Sequence, residues 1–234
     1  MTSKDTFYNR TQNLVGIDGI NKLRNSKVAV FGVGGVGGYV AETLARTGVG
    51  SLVLVDGDEV NITNVNRQII ALQTNIGCKK TDEMKFRIAQ INPDCVVTTM
   101  TMRFNQETLE NFTFDYDYIA DCIDSVKDKK LLIKTANERG IPIVCSMGAG
   151  NHIDIPHYEL ADVFKTSYDP LARLLRKFCA QERIKHLNVV YTKSPAVKTD
   201  VPMVSSIAYH PMAMASIITS KIVNDILTKE NKGE

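Results

Sequence analysis

One stretch limits what this chain can fold into more than any other: Val28 to Asp56. An apolar run, VAVFG, is followed by the turn Gly32-Val33-Gly34-Gly35-Val36-Gly37, a helical pattern to Thr47, and a second apolar run, LVLVD, that ends on Asp56. Glycines at 32, 34 and 37, with Gly35 between them, permit a tight turn, close approach of backbone to a phosphate, and close helix-on-strand packing. The helix that opens there offers unpaired N–H groups to an anion. Asp56 lies about 20 residues beyond the glycines, where a carboxylate accepts both ribose hydroxyls. The stretch therefore predicts a nucleotide-binding βαβ unit. It does not choose the nucleotide, since a dinucleotide-linked hydride transferase or a non-catalytic dinucleotide binder needs the same turn and acid.

The rest of the chain extends the alternation. Strands are expected at 95–101, 118–122 and 141–145, and helices from Thr81 or Asp82 through Asn92, over 106–112 and over 127–139. Met84, Phe86, Ile88 and Ile91 are expected on the buried side of the first of these. A helix-like segment over 13–23 precedes the first strand. The strands are apolar nearly throughout, as in a parallel sheet covered on both faces. From Asn151 the pattern loosens into a polar strand-like IPHYELADV, a helix LARLLRKFCAQERIKH opened by Asp169-Pro170, a strand LNVVYTKS, and an apolar helix over 211–227. The fold class is α/β, a Rossmann-like, doubly wound, mostly parallel sheet with a C-terminal extension. Its expected parts are an N-terminal arm (1–25), a nucleotide-binding domain (26–150) and an extension that completes the same fold (151–234).

Polar side chains gather where such sheets bind ligands, beyond the carboxyl ends of the strands. Asp58, Asn64, Arg67 and Gln68 follow the second strand, and Lys80 precedes a helix that lets it reach back to a phosphate. Asp121 and Asp124 bracket a later strand end; one suits magnesium, while the other or Ser125 caps the next helix. This set holds a triphosphate and its metal, which hydride transfer does not need. Cations at an α-phosphate favour attack by a carboxylate to give an acyl-adenylate. The long basic segment carries Arg173, Arg176, Lys177, Arg183 and Lys185, either a solvated face or a surface for a phosphate backbone. A formal net charge of +2 leaves that choice to the local patch. The five cysteines are scattered without a CxxC, so neither a zinc site nor a disulfide framework is indicated. With no signal-like N-terminus and no long apolar run, a cytoplasmic protein without a membrane span is expected.

The motifs GVGGVG, LVDGDEVNITNVNRQ, GCKKTDEMKFRIAQINP and DCIDS, in that order between Ser26 and about Gly150, resemble the ATP-binding domain of the family of ubiquitin-activating, ThiF and MoeB type enzymes. The resemblance implies an adenylating homodimer that uses ATP and magnesium. Asp56 would bind ribose, Arg67 and Lys80 the phosphates, and Asp124 the metal, with Arg10, in its RTQ context, reaching the partner's site. The chain departs from the ThiF and MoeB pattern in having no paired CxxC motifs and no evident cysteine to accept a ubiquitin-like tail. Gly148-Ala149-Gly150, Ile153-Asp154, Asp169-Pro170-Leu171-Ala172 with Leu175-Arg176, and Val189-Val190-Tyr191 instead look like the branch of tRNA threonylcarbamoyladenosine dehydratases. That branch implies activation of the carboxylate of N6-threonylcarbamoyladenosine (t6A) at position 37 of tRNA and closure to cyclic t6A, with the basic helix facing the tRNA. It also admits a cysteine desulfurase or sulfur-acceptor partner. The alternative within the family is adenylation of a small ubiquitin-like sulfur carrier. One departure stands in the last helix, where Met212-Ala213-Met214-Ala215 occupies the place of an expected glycine.

Overall fold

The computed structural model describes residues 6–153, 157–200 and 204–229. Asp154 of the Ile153-Asp154 motif, and the first two residues of the strand-like stretch after it, lie outside them.

Among the described residues seven strands form one sheet in the order β3-β2-β1-β4-β5-β7-β6. β1 (Lys27–Phe31), β2 (Ser51–Val55), β3 (Val96–Met100), β4 (Tyr118–Asp121), β5 (Ile143–Ser146) and β7 (Asn188–Thr192) pair in parallel. Edge strand β6 (Tyr158–Asp162) runs antiparallel to β7. The sheet grows outward from β1 in both directions, first through β2 and later through β4. The crevice between the carboxyl ends of β1 and β4 is thus the topological switch point, where a doubly wound sheet takes its ligand.

Alternation along β1 divides the core. Val28 and Val30 join the side covered by α1 (Asn9–Arg24), α2 (Gly35–Thr47), α3 (Lys80–Ile91) and α6 (Tyr209–Thr228). Ala29 and Phe31 face the opposite side with α4 (Val126–Glu138), while α5 (Pro170–Gln181) covers β5 and β7 there. Phe31 meets Phe104, Phe112, Phe114 and Tyr116 at ring separations of 5.2–6.4 Å, so an aromatic cluster fills the space a crossover helix would occupy. The helix expected over 106–112 is accordingly only a 3-10 turn at Leu109–Asn111. Asn105 Oδ1 accepts from the Glu107 and Thr108 amides and so diverts the backbone from helical pairing.

Other boundaries shift for local reasons. α1 starts earlier than expected and breaks at Gly16, whose φ of 76° is left-handed. α3 opens at Lys80 rather than after a Thr81 or Asp82 cap, because Thr81 Oγ1 pairs with Thr101 Oγ1 at 2.9 Å. Phe86 is 69% exposed: two residues past buried Met84, it points to the far side of a helix whose buried positions recur every three or four residues. α5 is capped by Asp169, whose Oδ1 accepts from the Ala172 amide at 2.8 Å, and it stops at Gln181. Arg183 at φ 59° ends it, with the Ile184 amide returning to the Cys179 carbonyl. In α6, Met214 and Ala215 are buried in the core beside α2, so the small residue needed for close packing there is Ala215. Among the described residues no helix is long and apolar enough to cross a membrane.

Candidate active site

The carboxyl edge of the sheet opens into a cleft of about 610 Å³. Gly32, Gly34 and Gly35 line it, as do Asp124, Ser125 and Gly148–Gly150, and Pro211 lies against Gly35. Asp56, Asp58, Arg67, Gln68 and Lys80 also line it.

The glycine turn is held from both sides. Asp56 Oδ2 accepts from the Val33 amide at 2.7 Å and Oδ1 from the Asp58 amide at 2.8 Å, tying the turn after β1 to the loop after β2. Each oxygen keeps a lone pair for a further donor. Burial pushes the Asp56 carboxyl above its ordinary value, with nearby Lys80 working against that shift. Gln68 is 7% exposed, its amide Nε2 lies beside Gly34, and its Oε1 is buried without a hydrogen-bond partner. A buried amide oxygen of this kind calls for a donor that a ligand or water supplies.

Asp58 organises the cations. It accepts from Lys80 Nζ at 3.0 Å and from Arg103 Nη2 at 2.9 Å. Partial burial works upward on its pKa, but these two pairs outweigh it and hold the carboxyl below its ordinary range. Lys80 is 6% exposed, so its ammonium is delivered to the cleft by the first turn of α3 rather than left in solvent. Arg67 lines the cleft with its stem, while its Nη1 donates to the Thr63 carbonyl at 2.8 Å and to Asn66 Oδ1 at 2.9 Å. Arg103 is a cleft residue that the sequence motifs do not mark. It follows edge strand β3 in a loop without a motif, and the available signal was positional, since loops after every parallel strand reach the same edge.

Of the two acids near β4, Asp121 is fully buried and pairs with Lys129, whereas Asp124 is exposed on the cleft wall. Ser125 caps α4. Asn64 does not line the cleft: it is buried, and its Oδ1 accepts from the Asn61 amide at 3.0 Å, so it shapes the loop that carries Arg67. Arg10 lies exposed on α1, away from its own chain's cleft.

The basic segment also divides. Arg173 and Lys177, one helical turn apart on α5, are exposed, as are Arg183 and Lys185 beyond its end. Arg176 is turned inward, donating to the Thr166 carbonyl at 2.6 Å and the Val163 carbonyl at 3.3 Å. It holds the segment after β6 and is not free for a phosphate.

No thiol is activated. Burial pushes Cys122 up to about 12 and Cys95 and Cys179 to about 11, and Cys145 is likewise raised. Exposed Cys78 is raised too, by desolvation first and then by Glu83 beside it.

Against known proteins, the ThiF family model matches residues 8–232. The chain belongs to the ThiF family. The tRNA threonylcarbamoyladenosine dehydratase of Bacillus subtilis is 46% identical over 81% of this chain and 76% of its own length. The enzyme of that name from Escherichia coli is 41% identical over 71% of the chain, which spans 63% of that relative. Solved structures of the E. coli enzyme in complex with AMP and with ATP superpose with TM-scores of 0.88 and 0.86. They are 32% and 31% identical, and each comparison covers 94% of this chain and 93% of the other. Family and fold thus agree with the dehydratase branch that the motifs resemble.

Proposed function

We propose that this chain is an ATP-dependent dehydratase that adenylates the carboxylate of t6A in tRNA and closes it to cyclic t6A. The observation that carries the chemistry is the meeting, at the β1/β4 switch point, of a backbone anion cradle, three cationic side chains (Arg67, Lys80 and Arg103) and the exposed carboxylate of Asp124. The substrate comes from the relatives' names.

ATP suits the cleft. Asp56 is fixed where a ribose would be read, the open N-terminus of α2 suits phosphate, and the buried Gln68 Oε1 lacks a donor. Magnesium fits a site with one free carboxylate: among the described residues no three His, Cys, Asp or Glu side chains gather around a metal, and magnesium is commonly held by one or two carboxylates with phosphates and water. Asp124 would hold it, where it neutralises charge on the leaving pyrophosphate. Arg67 and Lys80 fix the phosphates in line with the entering carboxylate, and Asp58 orients Lys80. The amide part of t6A then attacks the activated carbonyl, and AMP leaves. Every thiol is held protonated, which suits an intramolecular closure and not transfer through a cysteine thioester.

Two partners belong to this reading. Arg10 stands on a helix whose Leu14 and Ile17 are 86% and 57% exposed, an arrangement suited to a second copy whose cleft Arg10 would enter. Arg173, Lys177, Arg183 and Lys185 would track the tRNA backbone. A cytoplasmic location follows from the substrate.

The test is AMP release by a variant with all five cysteines replaced by serine. Release that requires t6A-bearing tRNA supports the reading. Release that requires a ubiquitin-like carrier protein, with tRNA irrelevant, contradicts it.

A further inference from the structure

Beneath the cleft lies an ion pair that never faces it. Lys129 Nζ, on the inner side of α4, is 2.9 Å from Asp121 Oδ1 at the last position of β4, and both side chains are 0% exposed. Desolvating two charges costs more than their attraction usually returns, and an apolar pair of similar size would join α4 to β4 equally well. Stability therefore does not explain the pair.

What the pair does hold is backbone. Asp121 Oδ1 also accepts from the Ile123 amide at 3.1 Å, and the Asp121 carbonyl accepts from Ser146 Oγ at 3.2 Å and Lys129 Nζ at 3.4 Å. The peptide so fixed is the surface on which the glycine turn rests: a Cβ on Gly32 would stand 2.6 Å from the Cys122 carbonyl oxygen and 3.2 Å from the Ile123 nitrogen. The next residue is Asp124. Ser125 follows and accepts the Lys129 amide on its carbonyl at 2.9 Å, so the helix that supplies the lysine begins at the end of the turn the lysine secures.

We propose that the Asp121–Lys129 pair is a positioning device for Asp124, and that it sets how tightly the site engages magnesium with its phosphates without governing affinity for the nucleoside. This rests on the reading that the cleft takes magnesium-ATP. The pair touches neither ligand and acts through the 122–124 backbone. Support of this kind behind a metal-binding carboxylate is worth about 10- to 100-fold in metal affinity.

The experiment is calorimetric titration of the full chain with AMP, and with ATP across a magnesium series, alongside melting curves. The variant Asp121→Leu/Lys129→Met removes the pair without leaving an unpaired buried charge. It is expected to bind AMP within about twofold of wild type and to need about tenfold more magnesium to strengthen ATP binding. Asp121→Asn/Lys129→Met keeps an acceptor for the Ile123 amide. It is expected to show a smaller shift of the same sign, and it decides the question if the leucine pair does not fold. Wild-type magnesium dependence in the variants overturns the proposal, as does a parallel loss of AMP binding, magnesium response and melting temperature. If wild-type ATP binding itself ignores magnesium, the reading of the cleft fails and this inference with it; a responsive wild type beside variants that respond to magnesium just as it does removes the inference alone.

Discussion

The same substitution at two glycines three residues apart separates folding from binding. A Cβ on Gly37 would lie 1.8 Å from the Gly32 carbonyl oxygen and 3.1 Å from Cys122 Cβ. The blocking oxygen is backbone, in a turn pinned by the hydrogen bond from the Val33 amide to Asp56, so it has nowhere to go. Overpacking of this kind costs about 1–3 kcal/mol, and the better helix propensity of alanine returns at most about 1 kcal/mol. Gly37→Ala should therefore lose about 2 kcal/mol at the upper end of that balance, a Tm about 4–8 °C lower for a chain of this length. Gly34 differs: the nearest atom to its Cβ is Gln68 Nε2 at 3.7 Å, an ordinary contact. Gly34→Ala should melt with wild type, yet its methyl stands at the N-terminus of α2, where a phosphate approaches. Losing one hydrogen bond to a charged group costs about 1.5–3 kcal/mol, about 10- to 100-fold in ATP affinity. Melting curves with and without ATP read both effects. A Gly37→Ala protein as stable as wild type, or a Gly34→Ala protein that binds ATP normally, would refute the assignment.

Asp124→Ala and Arg67→Ala should abolish ATP-dependent turnover with little change in melting, because both residues sit on loops beyond strand ends; steady-state AMP release and thermal denaturation check this together. On α5, Arg173→Ala/Lys177→Ala should weaken tRNA binding and lower the log–log salt slope by about 2. Arg176→Ala should leave that slope alone and cost about 1–3 kcal/mol of stability by stranding the Thr166 carbonyl. Glu42 gives the pH test. Its burial works upward, but hydrogen bonds from Arg87 and Arg46 outweigh that and hold it below its ordinary value of 4.5. The stability it contributes is thus present above pH 4.5 and lost as the pH falls through the lowered folded value. The gap in melting temperature between wild type and Glu42→Gln should close over that range.

The parts of this fold most legible in the sequence are those decided locally. The turn between β1 and α2 is dictated by Gly32, Gly34 and Gly37, and the buried strands by uninterrupted apolar runs; the cleft follows because every parallel strand ends on the same edge. Side chains whose role depends on tertiary partners were harder to read. Asn64 sits in a polar run like the cleft residues beside it, yet its amide caps its own loop. Arg176 is one of several helix cations, and only its position over the Thr166 carbonyl sets it apart. Asp121 and Asp124 are indistinguishable by type, and burial beside Lys129 separates them. Arg103 carries no motif and is found only through Asp58.

The most direct measurement is the mass of the nucleoside itself: incubate the protein with ATP, magnesium and t6A-bearing tRNA, digest the tRNA and weigh the modified adenosine. A product lighter by one water, absent when ATP is omitted, is the predicted result. Unchanged t6A under conditions where a carrier protein provokes AMP formation would contradict the account and make the exposed cations of α5 a solvated face.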